Sequence, residues 1–161
     1  MTVAEFNQAV DLFSDALYRF ALKMIENTED AEDIVQEVFL RVWEKRSQIE
    51  GAKIKSYLFT ATYHLSIDFL RKNKQTQSLD DILEEPASEL RFHTGLKALL
   101  ELILKQMPPV QRAVLMLRDY EGYSYEEIGQ ITGLSESQVK VYIYRARLYV
   151  KKRIEKLENV I

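Results

Sequence analysis

Residues 133–147, "GLSESQVKVYIYRAR", hold the densest group of side chains able to do chemistry. Lys140, Tyr144, Arg147 and Lys151 follow one another at steps of four, three and four, so a helix carries them along one side, flanked by Val141 and Arg145. No nucleophile stands beside a base here. The chemistry on offer is recognition: cations neutralise phosphates or pair with guanine edges, and Val141 suits a thymine methyl. The opposite stripe, Val139, Ile143, Ala146, Val150, Ile154 and Leu157, is apolar and fits a core. A basic solvated helix or a coiled-coil arm is the bland alternative that charge alone leaves open.

The residues just before this helix weigh against the bland reading. Ser124 with Glu127, and Ser135 with Gln138, are two capping boxes, each starting a helix. Gly133 between them supplies the left-handed turn, and Gly129 lets the second helix cross close to the first. Short helix, tight turn and second helix make a helix-turn-helix, whose second helix enters the major groove.

A second constellation lies upstream. Tyr57, Phe59, Tyr63 and Phe69 are interleaved with Lys53, Lys55, His64, Arg71 and Lys72, and one apolar stripe cannot bury all those rings in a three-helix lobe. Rings beside cations suit single-stranded nucleic acid, where base stacking contributes roughly 1–3 kcal/mol per base. Tyr57 and Phe59 serve equally well as core. His64 and Asp68 lack a third ligand at metal spacing, so no metal site is expected, and Asp68 is expected to pair with Arg71 or Lys72. The chain shows no Ser-His-Asp set, Gly-rich phosphate loop or paired catalytic carboxylates, so neither catalysis nor a cofactor is expected.

The elements that must position these groups are helical. Apolar residues at three- and four-residue steps predict helices over 4–26, 29–48 and 53–72, the second capped by Thr28. "LKALLELILKQM" makes another helix, stopped by Pro108 and Pro109, and Pro109 opens the next. The expected fold is all-α: a first domain over 1–74, an acidic linker over 75–94 with Pro86 in its middle, and a helix-turn-helix domain over 95–161. Of the 161 residues 47% are hydrophobic, enough for a core, and none is cysteine. A reducing cytoplasmic setting is therefore expected, without an export signal or membrane insertion. The net charge of -3 hides alternating blocks: 5 Lys/Arg against 11 Asp/Glu in residues 1–50, but 7 cations against Glu155 alone in residues 138–156. Different surfaces are built for different partners.

Taken in order, "DAEDIVQEVFLRVW", "YLFTATYHLSIDFLRK" and "MPPVQRAVLMLRDYEGYSYEEIGQITGLSESQVKVYIYRAR" resemble the extracytoplasmic-function (ECF) sigma factors, the promoter-specificity subunits of bacterial RNA polymerase. The resemblance implies that Asp33, Gln36, Glu37, Phe39, Leu40 and Arg41 dock on the clamp helices of the largest subunit of core RNA polymerase. It implies that Lys53, Lys55, Tyr57, Tyr63, His64, Arg71 and Lys72 capture the melted non-template strand of the minus-ten element. Tyr63-His64 stands where the family commonly has Arg-Asn, which bears on the preferred base. Lys140, Val141, Tyr144 and Arg145 correspond to the minus-thirty-five readers, with Ser137, Gln138 and Arg147 as backbone contacts. Arg112 and Arg118 either touch phosphates or cover the core. The resemblance also implies double- and single-stranded promoter DNA as ligands, an anti-sigma protein as a regulator, and a linker running through the polymerase interior. A stand-alone helix-turn-helix regulator is the alternative; it leaves the first lobe's acidic face and aromatics without a role.

Overall fold

The computed structural model describes residues 1–76 and 95–158. The expected linker beyond residue 76, and the side chains of Gln75, Thr76 and Leu157, lie outside the described residues. Thr2 and Glu5 form a capping box at the start of α1 (Val3–Ile25), each side chain accepting from the other's backbone N–H at 2.8 and 3.1 Å. α2 (Thr28–Glu44) is capped by Asn27, not Thr28: the Asn27 side chain accepts from Asp30 N–H at 3.0 Å. Asparagine is as good a cap as threonine or better, and the acidic pair Glu29 and Asp30 still falls in the first turn. α2 stops short of the expected residue 48 and gives way to 3-10 turns at Arg46–Gln48 and Gly51–Lys53. There Arg46 lies 3.9 Å over the Trp43 ring and donates to the Trp43 carbonyl. The Met1 ammonium donates to the carbonyls of Arg46 and Ile49, fixing this loop against the start of α1. α3 (Ile54–Thr76) completes the first lobe around buried Leu17, Phe20, Val38 and Leu58.

The second lobe opens with α4 (Leu96–Gln106). α5 (Pro109–Leu115) takes Pro109 at its first position and runs on through a wider, π-type turn at Met116–Tyr120. α6 (Tyr125–Thr132) and α7 (Glu136–Glu158) follow. Every regular element among the described residues is helical.

The two lobes are not loosely tethered bodies. Their buried side chains form a continuous cluster that includes Ala9, Phe20 and Phe59 of the first lobe and Tyr123, Ile131 and Ala146 of the second. Phe20 meets Phe59 edge-on at 6.0 Å, and Phe59 meets Tyr123 at 5.2 Å, so a file of rings crosses the boundary. Arg19–Glu121 at 3.0 Å, Lys23–Glu101 at 3.2 Å and Lys105–Glu26 at 3.6 Å rim it. Rim pairs of this kind, each with at least one side chain well in contact with solvent, contribute about 0–1 kcal/mol each, whereas a fully buried aromatic contributes about 1.5–3 kcal/mol. The rings dominate. Two of the α3 aromatics, Phe59 and Tyr63, are thus buried where the second lobe packs.

Candidate nucleic-acid and partner interfaces

The helix-turn-helix is built as its residues require. Ser124 and Glu127 exchange hydrogen bonds at 3.1 Å, and Ser135 and Gln138 do so at 2.9 and 3.1 Å. The Ser124 bonds hold the Glu127 carboxyl below the usual range, from its backbone N–H first and its hydroxyl second. Gly133 adopts φ 79°, and a Cβ on Gly129 would come within 2.8 Å of the Leu134 carbonyl oxygen. α7 thus crosses α6 at a distance only glycine permits. Its inner stripe, Val139, Ile143 and Ala146, is buried, which turns Ser137, Gln138, Lys140, Val141, Tyr144, Arg145 and Arg147 outward. All seven are exposed, Tyr144 by 68% and Val141 by 45%.

Their local partners differ. Gln138 commits its side-chain oxygen to the cap and keeps its NH2 to donate. Lys140 lies 3.6 Å from Glu136, and Arg145 lies 5.9 Å over the Tyr142 ring. Arg147 donates to both Asp119 oxygens, at 2.7 and 3.4 Å, and this bond raises its pKa. Arg147 must leave Asp119, or share it, to reach a phosphate.

On α3 the expected set divides. Lys53, Lys55, His64, Arg71 and Lys72 are exposed and Tyr57 is half-buried. Tyr57, His64 and Arg71 fall seven residues apart, almost two full turns, and so share one outer face. Asp68 on the same face pairs with Arg71 at 2.6 Å. Tyr63 departs from expectation: it is only 5% exposed, and Phe59 is fully buried. Both turn toward the second lobe, where burial foremost, then the neighbouring Tyr142, pushes the Tyr63 phenol above its ordinary pKa. Lys55 is exposed yet spans the boundary, its ammonium 4.8 Å over the Tyr123 ring. In this closed arrangement Tyr63 cannot meet a base.

On α2, Asp33, Gln36, Glu37, Leu40 and Arg41 line one accessible side, with Glu37 and Arg41 paired at 2.9 Å and Leu40 52% exposed. Phe39 belongs elsewhere. It is half-buried, edge-on to Phe6 of α1 at 6.2 Å, because its position one step from Val38 and Leu40 turns it toward the flank of α1.

Arg112 and Arg118 do not reach outward. Arg118 donates to the Tyr123 carbonyl and stacks 4.5 Å over Tyr125. Arg112 is buried: Nη1 donates to the carbonyls of Lys23 and Met24, Nη2 to those of Lys105 and Met107. Burial lowers its pKa, and nearby Glu26 partly offsets that effect. Of the two roles open to Arg112, phosphate contact is the one overturned.

Comparison with known proteins bears on both lobes. The family model described as Sigma-70 region 2 matches residues 9–76, and Sigma-70, region 4 matches residues 97–150. The RNA polymerase sigma factor SigV of Bacillus subtilis is 32% identical over 80% of this chain and 78% of its own length. The ECF RNA polymerase sigma factor SigE of Mycolicibacterium smegmatis is 31% identical over 94% of this chain, which spans only 62% of SigE. This chain belongs to the ECF sigma factors. The sigma factor RpoE of Bartonella quintana, solved in complex with the anti-sigma factor NepR, shares its fold with TM-score 0.77 at 26% identity, over 95% of this chain and 98% of its own. The present sigma factor is accordingly a transcription initiation factor and not an enzyme. No helix among its described residues is long and apolar enough to cross a membrane.

Proposed function

We propose that this sigma factor binds core RNA polymerase, directs it to particular promoters and stabilises the melted non-template strand. The first domain, over 1–74, docks through Asp33, Gln36, Glu37, Leu40 and Arg41 on the clamp helices of the largest subunit. The acidic linker, over 75–94, tethers it to the second domain, over 95–161. There Lys140, Val141, Tyr144 and Arg145 read the minus-thirty-five duplex in the major groove, with Ser137, Gln138 and Arg147 at the backbone. Lys53, Lys55, Tyr57, His64, Arg71 and Lys72 form the strand-capturing surface, joined by Tyr63 once the lobes part. Strand opening follows from differential binding: the complex favours unpaired DNA and shifts the equilibrium toward it.

The observation that carries this reading is the exposed α7 face standing behind a capped helix-turn-helix, in a chain whose first lobe matches region 2. That match accounts for the lobe a stand-alone regulator leaves idle. The net charge of -3 fits a protein that binds promoter DNA weakly alone and relies on the polymerase for much of its phosphate contact. A role on promoter DNA fits a cytoplasmic protein, and the RpoE–NepR complex supports an anti-sigma protein as a regulator. Run-off transcription with core polymerase over a promoter library tests the reading. Defined transcripts sharing two upstream elements are expected; sequence-specific binding by the protein alone, with no transcripts, supports the regulator instead.

A further inference from the structure

Closure treats the working surfaces unequally. The docking side of α2 and the reading face of α7 stay open to solvent, while Phe59 and Tyr63 of α3 are sealed under the second lobe. Arg112 sits where the lobes meet. A helix end leaves its last carbonyls without intrahelical partners and carries the negative pole of the dipole. Lys23 and Met24 supply such carbonyls at the end of α1, and Lys105 and Met107 do so at the end of α4. Two helix ends, one from each lobe, thus share one buried cation. A planar, forked guanidinium satisfies both at once; the point charge of a lysine ammonium does not. When the lobes separate, Arg112 keeps its own-lobe partners and gives up those of α1.

We propose that Arg112 is the clasp of a self-closed state, in which the strand-capturing surface is covered by the protein's own second lobe while the docking and duplex-reading faces remain available. The order of events follows: the sigma factor docks first, then unclasps, and only then captures a melted strand. This deepens the sigma-factor reading and rests on it. Arg112 is buried on carbonyls of its own chain and acts through the placement of the lobes, so it is a positioning residue.

The chain has no cysteine, so Arg19→Cys with Glu121→Cys creates a unique pair across the boundary, where the native side chains meet. Bridging that pair with a short, reducible bis-maleimide locks the closed state. The bridged protein is expected to bind core polymerase normally yet lose run-off transcription at least about tenfold, and to regain it on reduction. With spin labels placed one on each lobe, Arg112→Gln is expected to lengthen the interlobe distance. It should also lower the concentration giving half-maximal run-off by about three- to tenfold, since apparent affinity scales with the open fraction. Glu121→Arg, which sets a cation against Arg19 at the boundary and changes no apolar core residue, is expected to shift both readouts the same way, and it decides whether closure restrains transcription should Arg112→Gln fail to fold. Equal transcription from bridged and reduced protein overturns the clasp, as does a lengthened distance without a gain in transcription. If the reduced protein drives no transcript from any promoter, the sigma-factor reading fails on its own. The clasp then stands or falls on the distance, and no lengthening in Arg112→Gln overturns it.

Discussion

α3 and α7 are both 23 residues long, and both mix tyrosines with cations, yet they meet opposite fates. α7 has a narrow apolar stripe that its own lobe covers, so Tyr144, Val141 and the cations are left in solvent. α3 carries rings on more than one side. Its own lobe takes Leu58, the second lobe closes over Phe59, against Tyr123, and Tyr63, beside Tyr142, and Tyr57 stays half-buried on the outer face. A helix crowded with aromatics and cations demands a cover, but the pattern does not say which one. For Tyr63 the cover in the closed fold is the protein itself, and the proposed function requires an unpaired base to replace it.

The sharpest way to break this comparison is to truncate one ring on each helix. Phe59→Ala is expected to cost about 3–5 kcal/mol of folding stability in urea denaturation, as for other fully buried aromatics. Tyr144→Ala is expected to stay within about 0.5 kcal/mol. Equal losses would erase the distinction between covered and open faces. Next in size, Lys140→Ala or Arg145→Ala should each weaken promoter recognition by about 1–3 kcal/mol, read as a roughly five- to 150-fold loss of promoter-specific run-off with unchanged thermal melting. A matching fall in melting temperature would mean that these residues support the fold instead. Gly129→Ala pushes a Cβ into the Leu134 carbonyl and should cost about 1–3 kcal/mol by forcing α7 away from α6, measurable by urea denaturation.

The smallest effect concerns Tyr123, whose ring bridges the lobes while its hydroxyl is buried without a partner among the described residues. Tyr123→Phe keeps the ring and removes the orphan hydroxyl, so stability is expected to be unchanged or to rise by up to about 1 kcal/mol. Burial first, then Glu121 and Glu127, raises the Tyr123 pKa well above 10.0. The fold therefore prefers the neutral phenol. That preference is fully present below the unfolded value of 10.0 and is lost as pH climbs from there through the raised folded value. Urea denaturation followed from about pH 8 to pH 11 should show a shallower alkaline loss in Tyr123→Phe than in the parent, with the remainder due to Tyr63, which is raised in the same direction.

Most of the second lobe was legible from local spacing. Two capping boxes, the left-handed Gly133, the close approach at Gly129 and the opening Pro109 are rules that span only a few residues, and the structure places each as expected. The Asp68–Arg71 pair, three residues apart, belongs with them. The misjudged residues depend on distant partners or on near-equal local choices. Asn27 and Thr28 are adjacent and both cap well, so the start of α2 moved by one residue. Phe39, which the resemblance puts on the docking face, sits at an angular position that turns it to Phe6 of α1 instead. Tyr63 and Phe59 could not be resolved without the second lobe. The clasp was least legible of all, since Arg112 bonds to carbonyls 88 and 89 positions earlier and no periodicity links them.

Site-specific cross-linking from α3 tests the central claim most directly. With Tyr63→p-azidophenylalanine in the full chain, light should join residue 63 to the second lobe in the free protein. With core polymerase on promoter DNA, it should join residue 63 to the unpaired non-template strand. An intramolecular product of unchanged yield in both samples, with no DNA adduct, would contradict the account.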